Sequence, residues 1–475
     1  MVAMTTRTEK DFLGTVKIPS ESLYGINSLR ASENFGLVGG SVNKRLLCAF
    51  GLVKLACLKT NASLGYIPQD IAAAIETACN ELSAGTLNPG IELGALQGGA
   101  GTSTNMLVNE TLTNRALQLL GKPCGSYDII SPHGHLNLHQ STNDTYPTAL
   151  KVAAIYACDE LEQSLSSLTD AFQEKEKQFA EVVKLGRTEF QDAVPMTAGQ
   201  QFGAYAEAFS KDRWRLYKCR ERLRVVNLGG TAIGTGLGAD QKYIFMVVEQ
   251  LKKLTNLPLA RAENLIQSTQ NCDEFVEVSG ILKAHASNLF KVSSDLRFLS
   301  SGPEGGIGEV RIPPRQEGSS IMPGKVNPVI LEMTSQIAIQ AIAHDSAVTA
   351  AAMNSHLELN ALMPLLADNL LKMIEILIEA SERLRKYCID QIKVDPDKCR
   401  QRLDASTAVI TAFISKIGYD KASQIVSRAA AEKKTIKELL LEENLCKNEE
   451  YEYLTSADAA LTLGFRKKNE NAKDT

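Results

Sequence analysis

The sequence has no excess of positive charge. Its 51 lysines and arginines stand against 55 aspartates and glutamates, for a net charge of -4. A balance this even argues against nucleic acid as a partner and for a small molecule or another protein. CxxC pairs are also missing. The ten cysteines are scattered along 475 residues and read as reduced thiols of an intracellular protein, not as a disulfide framework. Met1 to Lys10 holds no apolar core of the kind a signal peptide needs, and no segment reads as a membrane span. A soluble, cytoplasmic protein is expected, with no membrane partner. The length exceeds one compact core, so two or three domains are expected.

Glycine and proline are absent from long stretches. Ala149 to Leu185 contains neither, and Ile155, Leu161, Leu165, Leu168 and Phe172 recur there at helical spacing. Similar helical stretches run over Met196–Val226, Leu265–Ser301, Val329–Met363 and Leu365–Val394. In the last, Leu366, Leu370, Met373, Leu377, Leu384 and Cys388 trace one apolar stripe. Five helices far longer than the usual ~11–12 residues predict a mainly α fold built on a bundle. Their apolar faces exceed what one chain can cover, which points to an oligomer. Asn43–Leu64 and Pro68–Ala84 predict two shorter helices, whereas Asp11–Gly40 is turn-rich.

Where glycine and proline do cluster, polar groups cluster with them. Gly318-Ser319-Ser320-Ile321-Met322-Pro323-Gly324-Lys325-Val326-Asn327-Pro328 reads as a surface loop ahead of a rigid helix. Gly302, Gly305, Gly306 and Gly308 before it suggest a flexible lid hinge. A serine here can act as base or nucleophile only if its anion is stabilised, which Lys325 and loop amides can do. The plainer alternative is a turn capped by Asn327 or Ser320.

Three further segments stand out. Gln97 to Met106 places three glycines before Thr102, Ser103 and Thr104. It suits a carboxylate or a polar turn, and it lacks the lysine of a phosphate-binding Walker loop. His133 to Asp144 holds three of six histidines. His135 and His139 lie four apart, but Gly134 and the want of a cysteine or carboxylate partner weigh against metal ligation. Gly229 to Gly238 contains dinucleotide-like glycine spacing. It is expected to connect two helices without a preceding strand, which excludes a Rossmann reading.

The eleven residues from Gly318 to Pro328 resemble the signature loop of the aspartase/fumarase superfamily, whose members eliminate a group from a succinyl-type substrate to leave fumarate. Gln97–Met106, QSTNDTYPT at Gln140–Thr148 and Gly186–Thr197 resemble its other characteristic regions, and the likeness runs from about Asp11 to about Asp395. The resemblance implies Ser319 as the base that takes the β-proton, with Lys325 stabilising the charge. Lys325 and Asn327 would hold the carboxylate that becomes the aci-form, while Thr102, Ser141, Thr142, Asn143, Thr188 and Glu189 would contact the rest of the substrate. Arg30 would lie near the site. The implied assembly is a homotetramer round a twenty-helix core, with sites shared among subunits. The implied domains are an N-terminal helical domain (1–143), a central bundle (144–395) and a small C-terminal helical domain (396–475) whose last stretch departs from the family pattern. No organic cofactor is implied. An activating divalent cation is the one addition the family allows, with no visible ligand set.

Segments at Val194–Thr197, Asn227–Gly236 and Gln140–Asn143 lean toward the aspartases, so elimination of ammonia from L-aspartate or a close analogue is expected. Glu189 stands where the family usually has histidine or glutamine. An ionised Glu189 would repel the distal carboxylate of aspartate. It is either protonated, paired with a cation such as Lys325 or a histidine, matched to a substrate with a non-anionic distal group, or turned away as a cap. A fumarate hydratase of the class II type is the nearest alternative. A catalytically silent structural homologue, as among lens crystallins related to argininosuccinate lyase, is the alternative of another kind.

Overall fold

The computed structural model describes residues 5–462 and 464. Among them are 17 α-helices and eight short strands paired two by two, the mainly α fold expected. A hairpin of β1 (Thr6–Asp11) and β2 (Gly14–Pro19) precedes α1 (Ile26–Phe35), α2 (Lys44–Ser63), α3 (Gln69–Ser83) and α4 (Thr102–Leu119). Asn43 caps α2 by accepting from the Arg45 amide, and Pro68 precedes α3, so both helices fall where the sequence places them.

The five long runs fold as helices with altered ends. The first is α5 (Thr142–Gln178), which begins well before Ala149 and passes through Pro147. Proline leaves the carbonyl four residues back without its helical donor. Here the Asn143 carbonyl accepts from Asn227 Nδ2 at 2.9 Å instead. A hairpin of β3 (Val183–Thr188) and β4 (Gln191–Thr197) leads to α6 (Ala198–Leu223). Next come β5 (Val225–Val226), α7 (Gln241–Thr255) and β6 (Ala260–Arg261), β5 and β6 pairing in parallel. The Leu265–Ser301 run is two helices, α8 (Leu265–Gln270) and α9 (Asp273–Leu299), parted at Asn271 and Cys272. After β7 (Val310–Arg311), the Val329–Met363 run is helical only as α10 (Val329–Ala352). Asn360 ends it, its Nδ2 reaching the Ala351 and Ala352 carbonyls. The fifth long helix is α11 (Met363–Tyr387). β8 (Lys393–Val394) and six short helices follow: α12 (Pro396–Ala405), α13 (Ile414–Ile417), α14 (Tyr419–Glu432), α15 (Ile436–Glu442), α16 (Asn448–Leu454) and α17 (Ala457–Leu461).

The chain forms two compact units, and each long helix supplies residues to both. The first comprises Met1–Glu162, Trp214–Ala286 and Ala338–Ile378. Its core includes α2, whose length and composition alone would let it cross a membrane. That window is 67% buried inside the chain, so α2 is a core helix rather than a span. The start of α1 rests on Glu110, a buried carboxylate that accepts from the amides of Gly25, Asn27 and Ser28 at 2.8–3.1 Å.

The second unit comprises Gln163–Arg213, Ser287–Ile337 and Glu379–Thr475. Phe172 of α5 stacks on Phe209 of α6 at 5.4 Å and meets Phe202 and Tyr205. Its C-terminal helices enclose a separate apolar cluster that includes Leu403, Phe413, Leu439 and Tyr451 and takes in Leu185 of β3.

Removing the Glu110 carboxylate strands three buried or half-buried amides. Glu110→Ala is expected to cost on the order of 3 kcal/mol, read as a lower urea midpoint. An unchanged midpoint contradicts this account of α1.

Candidate active site

The loop from Gly318 to Pro328 closes on itself. The Gly318 amide donates to the Lys325 carbonyl at 2.8 Å, and Asn327 Nδ2 donates to the Gly318 carbonyl at 2.8 Å. Asn327 thus ties the neck of the loop and does not cap α10. Within the loop, Ser319 Oγ accepts from the amides of Ile321 and Met322 at 3.2 and 3.1 Å. Donors aimed at an oxygen favour its anion, so this turn lowers the cost of an alkoxide at Ser319. Lys325 is exposed on the same loop, and Ile321 is 83% exposed.

The glycines ahead of the loop are not a loose hinge. Lys398 Nζ donates to the Pro303 carbonyl and Arg402 Nε to the Ile307 carbonyl, both at 2.9 Å. Arg402 also reaches the Gly306 carbonyl. Gly308 has φ +61°, and an added Cβ would lie 2.6 Å from the Pro303 carbonyl oxygen. Tight folding, not mobility, is what these glycines permit.

In the same unit, Thr188 and Gln191 pair across the β3–β4 hairpin, leaving Glu189 and Phe190 as a two-residue turn. Both have positive φ, +53° and +61°, where asparagine and glycine are the favoured residues. Phe190 leans on Phe298 at 5.0 Å between ring centres. The base of the hairpin is clamped by buried Glu309, which takes Arg187 at 2.9 and 2.5 Å and lies 3.5 Å from Lys184 Nζ. Glu189 itself is exposed and has no hydrogen bond or ion pair among the described residues. Among the described residues of one chain it caps nothing and does not pair with Lys325.

The first unit holds the remaining candidates at two helix starts. Gly101 precedes Thr102 with φ +91°, and a Cβ there would collide with the Tyr146 ring at 2.2 Å. With no side chain at that N-cap, Gln97 Oε1 accepts from the Thr104 amide at 3.0 Å. At the start of α5, Ser141 Oγ accepts from the Asn143 amide while Asp144 Oδ1 accepts from the Ser141 amide. This reciprocal cap leaves the Ser141 hydroxyl proton to donate. A small cleft is lined by Ala100, Thr142, Asn143, Thr269, Asn271 and Cys272, among others. Helix N-termini carry partial positive charge, so these two starts suit carboxylate oxygens. Thr102, Ser141, Thr142 and Asn143 are therefore grouped in one unit, and Thr188, Glu189, Ser319, Lys325 and Asn327 belong to the other.

The support beneath this cradle was not read from the sequence. Buried Asp144 also accepts from the Gly229 and Thr231 amides through Oδ2, at 3.2 and 3.0 Å. Asn143 Nδ2 reaches the Ala232 carbonyl at 2.7 Å. The glycine-rich segment is thereby locked onto α5, and it does follow a strand, the two-residue β5, contrary to expectation. Buried Lys54 of α2 donates to Gln140 Oε1 at 2.8 Å. Burial raises Asp144 to about 7 and lowers Lys54 to about 8. An acid four residues into QSTND and a lysine inside an apolar helix were the available signals.

Two of the three histidines bond to neighbouring segments of the fold. His135 Nδ1 accepts from the Ser131 amide at 3.0 Å, and His139 Nδ1 lies 2.7 Å from Asn61 Oδ1. The segment is a series of turns rather than a helix. Arg30 pairs with Asp11 at 2.8 Å.

Residues 14–343 match the family model described as lyase, and residues 409–459 match the one described as fumarase C C-terminus. The second match corrects the expectation that the likeness stops near Asp395. Aspartate ammonia-lyase of Pseudomonas aeruginosa is 44% identical over 444 residues, 93% of this chain and 94% of that protein. A fumarate lyase:delta crystallin of Brucella melitensis, solved bound to cobalt, is 39% identical with TM-score 0.92, covering 96% of this chain and 100% of that one. A class II fumarase of Schistosoma mansoni is 30% identical with TM-score 0.89, over 96% and 99%.

The buried carboxylate has a pH signature. Folding favours its protonated form, so the stability Asp144 contributes is full below its ordinary 3.8 and is lost as pH rises through about 7. Lys54 is shifted the other way, and its contribution changes between about 8 and 10.5, outside that window. The gap in Tm between the native protein and Asp144→Asn is expected to narrow as pH rises from about 5 to about 7. A gap that is constant or widens contradicts the assignment.

Proposed function

We infer the reaction from one premise: the chain belongs to the aspartase/fumarase superfamily of lyases. It is a carbon–nitrogen lyase, an aspartate ammonia-lyase that removes ammonia from L-aspartate to give fumarate. Relatives of that name, including those of Pseudomonas aeruginosa, Bacillus subtilis and Escherichia coli, are 36–44% identical over most of its length. The observation that carries the mechanism is the pair of amides facing Ser319 Oγ.

Ser319, as alkoxide, takes the proton from the carbon beside the distal carboxylate. The C–H electron pair moves into that carboxylate, giving a dianionic aci-form. Its charge is the quantity the site must stabilise. Lys325 and Asn327 meet this carboxylate. Thr102, Ser141, Thr142, Asn143 and Thr188 position the rest of the substrate through neutral donors, which follow charge as it develops without neutralising it beforehand. The electron pair then returns to form the carbon–carbon double bond, and the C–N bond breaks with its pair on nitrogen. No organic cofactor takes part. The working form is a cytoplasmic homotetramer whose sites are shared among subunits. The exposed Ile321 on the serine loop supports an assembly in which another surface covers it.

Ser319→Ala is expected to lower turnover of aspartate at least about 10³-fold while helix content and assembly size stay unchanged. The check is fumarate absorbance beside circular dichroism. Turnover near that of the native protein removes Ser319 from the role.

A further inference from the structure

We propose that buried Lys54 is a positioning residue for the carboxylate cradle: from beneath, its ammonium ties the two helix starts together and lends them a positive charge suited to a dicarboxylate. The proposal rests on the reading of Thr102, Ser141, Thr142 and Asn143 as carboxylate contacts, and it gives a task to a side chain that the reaction above does not use. Lys54 lies on α2 and is 1% exposed. Its Nζ donates to Gln140 Oε1 at 2.8 Å and to Asn137 Oδ1 at 3.3 Å. Gln140 is the residue before Ser141. The same Asn137 Oδ1 accepts from Asn105 Nδ2 at 3.1 Å and from Asn109 Nδ2 at 3.0 Å, both on α4. Asn105 sits one turn past Thr102, and its Oδ1 accepts from Thr145 Oγ1 of α5 at 3.3 Å. One amide oxygen thus gathers an ammonium and two side-chain amides, so the starts of α4 and α5 are held at a common point. Every residue named lies in the first unit.

The ammonium has no carboxylate partner among the described residues, since both of its acceptors are neutral amides. An ammonium buried without an anion is costly, and an apolar side chain of the same size would fill the space at less cost. The titratable groups around it are Cys57 on the same helix, Cys79 of α3 and Asp144 of α5, with Tyr243 of α7 next to Cys57. Burial pushes Cys57 up to about 12 and raises Cys79 and Tyr243 as well, so these three stay neutral near pH 7. Asp144 alone of the four opposes the ammonium, and its oxygens are already met by three amides. As pH rises, Asp144 gains its negative charge near 7 and Lys54 loses its positive charge near 8. Both steps make the cradle less receptive to two carboxylates.

The probe is succinate, a dicarboxylate with no leaving group, whose Kd is read by calorimetry from about pH 6 to about pH 9. The native protein is expected to bind it more weakly as pH rises across that range. Lys54→Met, which keeps the length of the side chain, should raise Kd about tenfold at the acid end and shrink its dependence on pH. Asn137→Asp separates charge from geometry. Its carboxylate still accepts from Lys54, Asn105 and Asn109 but cancels the ammonium's charge, so it should weaken succinate binding at the acid end by a similar factor. Circular dichroism and assembly size control for folding, and if Lys54→Met misfolds, Asn137→Asp decides. A Kd and pH dependence in folded Asn137→Asp or Lys54→Met that match the native protein overturn the proposal alone. A native protein that binds no succinate at any pH overturns it together with the dicarboxylate reading.

Discussion

Two amides pointed at one hydroxyl oxygen are the contact on which the proposed chemistry depends. A serine is a feeble base unless its alkoxide is stabilised before substrate arrives, and the turn at Ile321 and Met322 does this with backbone alone. The loop must hold that turn, which explains its closed neck at Gly318, Lys325 and Asn327. The loop in turn leads directly into α10, so the reactive oxygen is anchored to a helix of 24 residues. The clamped segment from Gly302 to Gly308 fixes the approach.

The carboxylate cradle uses a different device with the same logic. Two helix starts with uncharged side chains form the proposed cradle, and two buried ionisable groups lie beneath them. Asp144 and Lys54 are costly to bury, and one orphaned partner would make them costlier. Asp144 is instead met by three amides, which join the start of α5 to the 229–238 segment, and Lys54 donates to Asn137 and Gln140.

Local chemistry was legible in the sequence, and contacts between distant segments were not. The serine loop announced itself by composition, and α2 and α3 by periodicity. The passage of α5 through Pro147 depends on Asn227, 84 residues further on, which no local pattern reports. The glycines at 302–308 read as a hinge because Lys398 and Arg402, which pin them, come from 95 or more residues later. Asn271 looked like the interior of one long helix, yet it sits in a break and lines the cleft. Glu189 was recognised as a departure from the family. Its lack of a partner among the described residues appeared only in three dimensions.

The claim that loop amides stabilise an anion at position 319 can be measured without substrate. In Ser319→Cys the thiol would face the same two donors, and its thiolate absorbs in the ultraviolet, so a pH titration against the native protein isolates it. Cysteines already in the chain, such as Cys57 and Cys388, are pushed up to about 12 by burial and stay silent near neutrality. The account predicts a pKa at position 319 well below the ordinary value of about 8.5. A value at or above it contradicts the account.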